Sequence, residues 1–180
     1  MHAVLQKSLP HDALLATHRG GKHPELWGGY GDCFVVSIDR TVALAEFVVA
    51  FYTSPVFRIE RWILRVAAGA PSTDQEARDL MAGSRDSFAV WSVAERTDTQ
   101  LLMGDRYGKT RSWFRVTPQE SAATLLQFGS AVASRSNSGA VPRARGSLFG
   151  LLLKFHVVYS QVLLHAAKRG VMRKQRARPG

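Results

Sequence analysis

The chain has 180 residues, 46% of them hydrophobic and 21% charged, which suits one globular domain and leaves little room for two. A single cysteine, Cys33, excludes an intramolecular disulfide and a cysteine zinc site, and a chain of this size buries enough surface to fold without either. The formal net charge of +10 would suggest a nucleic-acid binder, but much of it lies at the C-terminal end and the body is close to neutral, so no specific nucleic-acid recognition is expected.

Residues 1–31 are poorly patterned and punctuated by Pro10, Gly20, Gly21, Pro24, Gly28, Gly29 and Gly31, which predicts a loop-rich lead-in. No apolar run near the start is long enough for a signal peptide, so a reducing cytoplasm is the expected compartment. The Gly28-Gly29-Tyr30-Gly31 cluster precedes a strand instead of joining a strand to a helix, and therefore reads as a turn. His18 and His23 are too far apart for one helical face and have no third ligand nearby, so no metal is expected, and no cofactor.

Cys33 to Ile38 is β-branched and aromatic, a strand. With Asp39 as N-cap, 42–52 is predicted helical, Leu44, Phe47, Val48 and Phe51 sharing a face. Ser54 as N-cap and Pro55 at the first helical position start a second helix, because proline's missing N–H costs nothing there. Its stripe would be Val56, Ile59, Ile63 and Val66, with Trp62 beside it and Gly69 at its end. Ser72 with Gln75 and Thr73 with Glu76 are overlapping capping boxes for a third, short helix that runs to about Met81 and stops at Gly83.

The period then changes to two. Residues 88–96, 99–106, 110–117 and 123–133 read as four strands joined by short turns, as antiparallel hairpins require. A polar loop over 134–146 leads to a closing helix from Leu148 to about Arg169. At ~100° per residue, Leu148, Leu152, Phe155, Tyr159, Val162 and Ala166 share an arc, with Lys154, Gln161, His165 and Lys168 opposite. Those polar residues, and His156, argue against a membrane span. Lys168, Arg169, Arg173, Lys174, Arg176 and Arg178 then follow with no acid among them. Residues 170–180 are expected to form a solvated, disordered tail, or to give weak attachment to an anionic surface.

The fold class is therefore α+β: an antiparallel sheet of about five strands packed on a long C-terminal helix, with two to three helices after the first strand. That element order resembles the START-like, or helix-grip, superfamily of polyketide cyclases and lipid carriers. Local strings are similar to an uncharacterised bacterial family within it: Asp32-Cys33-Phe34, Ala50-Phe51-Tyr52-Thr53-Ser54-Pro55, Arg61-Trp62, Arg111-Ser112-Trp113, Phe128-Gly129-Ser130-Ala131 and Tyr159-Ser160. The resemblance spans about residues 30 to 170 and implies a curved sheet gripping the last helix, with a cavity for a small apolar or amphipathic ligand. Fuller members have six or seven strands, and the second helix here is unusually long and apolar. None of the strings is a catalytic signature, so the resemblance bears on fold more than on activity, and a simple cyclase- or lyase-like enzyme stays an alternative.

The pocket candidates are Trp62, Trp91, Arg111, Trp113, His156 and Tyr159. The three tryptophans suit a core as well as an apolar pocket. On strand 110–117, either Ser112, Phe114 and Val116 face the helix and the arginines are solvated, or Arg111 and Trp113 face inward. An inward Arg111 would need an anion, such as Glu60 or a ligand acid. His156, near the sheet-facing stripe with Tyr159 and Ser160, could be a base near neutral pH or a satisfied core histidine. Cys33 inside a strand suits a small buried hydrophobe.

Overall fold

The computed structural model describes residues 3–18, 31–120, 122–132 and 146–176, with side chains on the last helix described from Val157 to Arg173. Along the chain run β1 (Leu5–Gln6), α1 (Leu14–Thr17), β2 (Gly31–Ile38), α2 (Leu44–Tyr52), α3 (Pro55–Ala68) and α4 (Asp74–Ala82). They are followed by β3 (Ser87–Phe88), β4 (Trp91–Arg96), β5 (Gln100–Asp105), β6 (Thr110–Pro118), β7 (Thr124–Val132) and α5 (Gly146–Arg176).

The strands form one antiparallel sheet in the order β1-β2-β7-β6-β5-β4-β3. The sheet has seven strands where the sequence predicted five. One addition is β1, two residues of the lead-in laid along β2. The other comes from dividing the predicted strand over 88–96: Ala89, with φ 54°, turns the chain so that Phe88 pairs with Trp91. Ladders this short carry no period for sequence inspection to find.

Side-chain alternation gives the sheet two covered faces. Phe34, Val36, Phe114, Val116, Leu126 and Phe128 point to the helices, where they meet Phe47, Val48 and Phe51 of α2 and Leu163, Leu164, Ala167 and Val171 of α5. Phe51 is the centre of this layer, its ring 4.9 Å from Phe114 and 4.7 Å from Phe128. The opposite face, with Cys33, Val35, Leu102 and Trp113, is covered by Ala13, Leu14 and Leu15 of the N-terminal segment. Gly129 permits that cover: a Cβ there would lie 2.8 Å from Asp32 O, 3.0 Å from Trp113 Cε3 and 3.3 Å from Leu15 Cδ2.

Local signals fix the helix ends. Ser54 Oγ accepts from Phe57 N at 3.2 Å, Pro55 occupies the first turn and Gly69 closes α3 at φ 60°. Of the two predicted capping boxes, Thr73 with Glu76 starts α4, and Gly83 at φ 79° ends it. Asp39 is not the cap of α2. The helix begins at Leu44, and the preceding loop is held by Thr124, whose Oγ1 accepts from Val42 N at 3.0 Å and donates to Arg40 O at 2.8 Å.

Two helices face differently from their predicted stripes. On α3 the core takes Phe57, while Ile59, Trp62, Ile63 and Val66 point outward. The inward side is anchored by polar bonds: Arg61 Nη1 reaches Asp74 Oδ1 at 2.5 Å, and its Nε reaches Ser72 Oγ at 3.1 Å. Among the described side chains of α5 the buried ones are Ser160, Leu163, Leu164, Ala167 and Val171, about a third of a turn from the predicted arc. Gly170 lets α5 approach α2, since a Cβ there would be 3.2 Å from Ala50 Cβ. The helix also runs past Arg169 to Arg176. Val171 is fully buried and its carbonyl accepts from Arg40 Nη2 at 2.9 Å, so the first part of the predicted tail belongs to the packed helix.

Candidate functional site

Between the sheet and the helices, at one end of the aromatic layer, lies a cavity of about 170 Å³. The start of β6 (Thr110, Ser112) and the end of β7 (Ser130, Val132) form its floor. Tyr52 ends α2 over it, Phe57 and Glu60 come from α3, Trp91 from β4, and Tyr159, Ser160 and Leu163 from α5. The lining is mostly apolar, with hydroxyls and one carboxyl converging on it, as small-molecule sites tend to be built.

Glu60 is the acid of this site. It is placed by the turn that puts Phe57 and Leu64 on the inner side of α3, since position 60 lies between them at 3-4 spacing. The Tyr159 hydroxyl donates to Glu60 Oε2. Burial raises the Glu60 carboxyl above the ordinary glutamate range, and the Tyr159 hydrogen bond acts against that shift. Burial, and next the nearby Glu60 charge, push both Tyr52 and Tyr159 upward, so both phenols hold their protons. Tyr52 is 2% exposed, and its hydroxyl has no hydrogen-bond partner among the described residues. Ser130 is held in place as its N and Oγ donate to Asp32 Oδ1 at 3.0 and 2.8 Å.

Two of the sequence candidates, Trp91 and Tyr159, meet at this cavity with their side chains described. Trp91 is partly buried, its ring centroid 5.8 Å from that of Phe57. Arg111 reaches the wall through its place on β6 but sends its guanidinium to the other face, where Nη1 donates to His18 O at 3.1 Å. Ser112, Phe114 and Val116 therefore face the helices. The arginines are not solvated as that register predicted: Arg111 is 3% exposed beneath the N-terminal segment, and Arg115 Nη1 binds Asp12 Oδ1 at 2.8 Å. Trp113 is fully buried on the same far face, its Nε1 donating to Gln100 Oε1 at 2.8 Å. Trp62 is 65% exposed, away from the cavity. The His156 side chain and all of His23 lie outside the described residues.

His18 Nδ1 lies 2.5 Å from Glu95 Oε2, a hydrogen-bonding contact on the far face. Cys33 is buried, and burial followed by the Asp32 charge raises its thiol to about 11, which suits a packing group and not a nucleophile. Tyr52 was missed as a site residue, and Glu60 was considered only as a partner for Arg111. The available signals were a phenol at the end of an apolar helix and a lone acid between Phe57 and Leu64.

No family model and no curated protein matches the chain. Among solved structures, the crystal structure of CalU16 from Micromonospora echinospora is similar, at 13% identity over 96% of this chain and 94% of that one. Its TM-score of 0.29 is too low for the likeness to carry an argument.

Proposed function

We propose that the chain is a START-like, helix-grip type binding protein that takes a small, largely apolar molecule bearing one hydroxyl or carbonyl. The observation that carries this reading is the Tyr52 hydroxyl, which is buried, without a partner among the described residues, and set beside the Glu60–Tyr159 pair in an aromatic-walled cavity. A buried polar group left unsatisfied costs stability, so a ligand group that completes it gains that energy. Two further points support the reading: the closing helix packs on an antiparallel sheet, and the seven strands remove the shortfall against fuller superfamily members. The cavity of about 170 Å³ admits a single ring, since roughly 150 Å³ holds benzene.

Phenol is the probe. Two-dimensional amide NMR of the full chain should show saturable shifts confined to the residues around Tyr52, Glu60 and Tyr159. Tyr52→Phe should weaken phenol binding several-fold and raise the stability of the unliganded protein by about 1 kcal/mol, because the orphan hydroxyl is gone. Phenol shifts that are absent, or equal in the parent and the variant, would overturn the proposal.

A further inference from the structure

The outward side of α3 is its more apolar side. Ile59, Trp62, Ile63 and Val66 are 63%, 65%, 50% and 69% exposed, and at ~100° per residue they share an arc about 100° wide. The helix is already held from its other side, by Phe57 in the core and by Arg61 on Ser72 and Asp74, so among the described residues its anchoring does not use this face.

The charge around the arc has one sign. Arg58 and Arg65 are exposed along one margin, and the only acid of α3, Glu60, is turned into the cavity. Arg58 also lines an open groove of about 830 Å³ between the start of α3 and α5. It combines Val56 and Val162 with Arg169 and Arg173 of α5, and Val162 is 44% exposed. Arg58 shares Asp74 with Arg61, so its charge is partly met within the fold.

We infer that this face docks on an anionic lipid bilayer. An apolar arc with a tryptophan, bordered by arginines, is the composition of a helix that lies in the headgroup plane, its apolar side sunk toward the acyl chains and its cations on phosphates. Among the described residues no helix is long and apolar enough to cross a bilayer, so the contact rests on the surface. Antiparallel two-fold pairing with a second copy would set the arginine margin of one helix against that of the other, which disfavours that occupant.

Co-sedimentation of the full chain with vesicles of about one part phosphatidylglycerol to three parts phosphatidylcholine tests the inference. Binding to these vesicles at low salt, absent on pure phosphatidylcholine and accompanied by a blue shift of tryptophan emission, is expected. The paired substitutions Trp62→Gln and Ile63→Gln leave the net charge and the packed side of α3 unchanged. They should lower partitioning by about tenfold or more at an unaltered melting temperature. No binding to anionic vesicles overturns the inference. So does binding that the double variant leaves unchanged, which would place attachment in the basic C-terminal residues alone. A dimer in sedimentation velocity that the same variant dissolves would assign the face to a second copy, and likewise overturns it.

Discussion

Two carboxyl groups, Glu60 and Asp74, should pull the pH dependence of stability in opposite directions. Burial raises Glu60, so the folded protein holds that proton more tightly than the unfolded chain does. Its stabilising share is complete in acid, below the ordinary glutamate range, and is lost as pH rises through the elevated value. Asp74 is shifted the other way: burial alone would raise it, but hydrogen bonds from Arg61 and Arg58 outweigh burial and hold it below the aspartate range. Its share is present above that range and is lost as pH falls through the lowered value. Glu60→Gln is neutral at every pH, so its stability relative to the parent should climb as pH increases from about 4 to 8. Urea unfolding across that range measures it, and a constant difference would mean that Glu60 is not desolvated as the structure places it. The residue types at this site were visible in the sequence, but their convergence was not. Glu60 and Tyr159 are far apart in the chain and meet only because α3 faces one way and α5 is rotated as it is.

Where a local chemical signal exists, the helices match expectation: Ser54-Pro55, Thr73 with Glu76, and the glycines at 69 and 83 mark their ends. Orientation was less legible. On α3 the apolar stripe and the buried side differ: the side that packs on the body carries Phe57 in the core and Arg61 bonded to Ser72 and Asp74, partners distant in sequence that periodicity does not reveal. On α5 the apolar arc left by Lys154, Gln161, His165 and Lys168 is broad, so periodicity alone could not choose the packed face within it, and the small residues Ala167 and Gly170 allow close approach to α2. The turn between β6 and β7 offers a direct check at this scale. Ala122 is exposed and sits at φ 57°, a region costly for a residue with a Cβ. Ala122→Gly should raise the unfolding free energy by about 0.5–1 kcal/mol in chemical denaturation, against the usual cost of adding glycine.

At the scale of the whole molecule, the sheet is covered on both faces, and the second cover comes from a segment that the sequence presents as a loop. Leu14 and Leu15 are 6% and 8% exposed over Trp113 and Cys33. Leu14→Ala or Leu15→Ala should each cost about 2–5 kcal/mol, with a red shift of tryptophan emission as Trp113 meets water. A loss below about 0.5 kcal/mol would show that the segment adds nothing to the core. The pairing of β2 with β7 bears on how the chain is made. Gly31–Ile38 aligns with Thr124–Ala131, and all of α2, α3, α4 and the meander lies between. During synthesis β2 is complete long before its ladder partner β7, and Leu14 and Leu15 find Leu102 and Trp113 only once β5 and β6 have been made. The hairpins β3 to β6 can close from local contacts while Cys33, Val35 and the apolar lead-in wait exposed. The nascent chain therefore carries β2 with an unpaired, apolar edge through the synthesis of everything between it and β7, a window in which a holding chaperone would shield it.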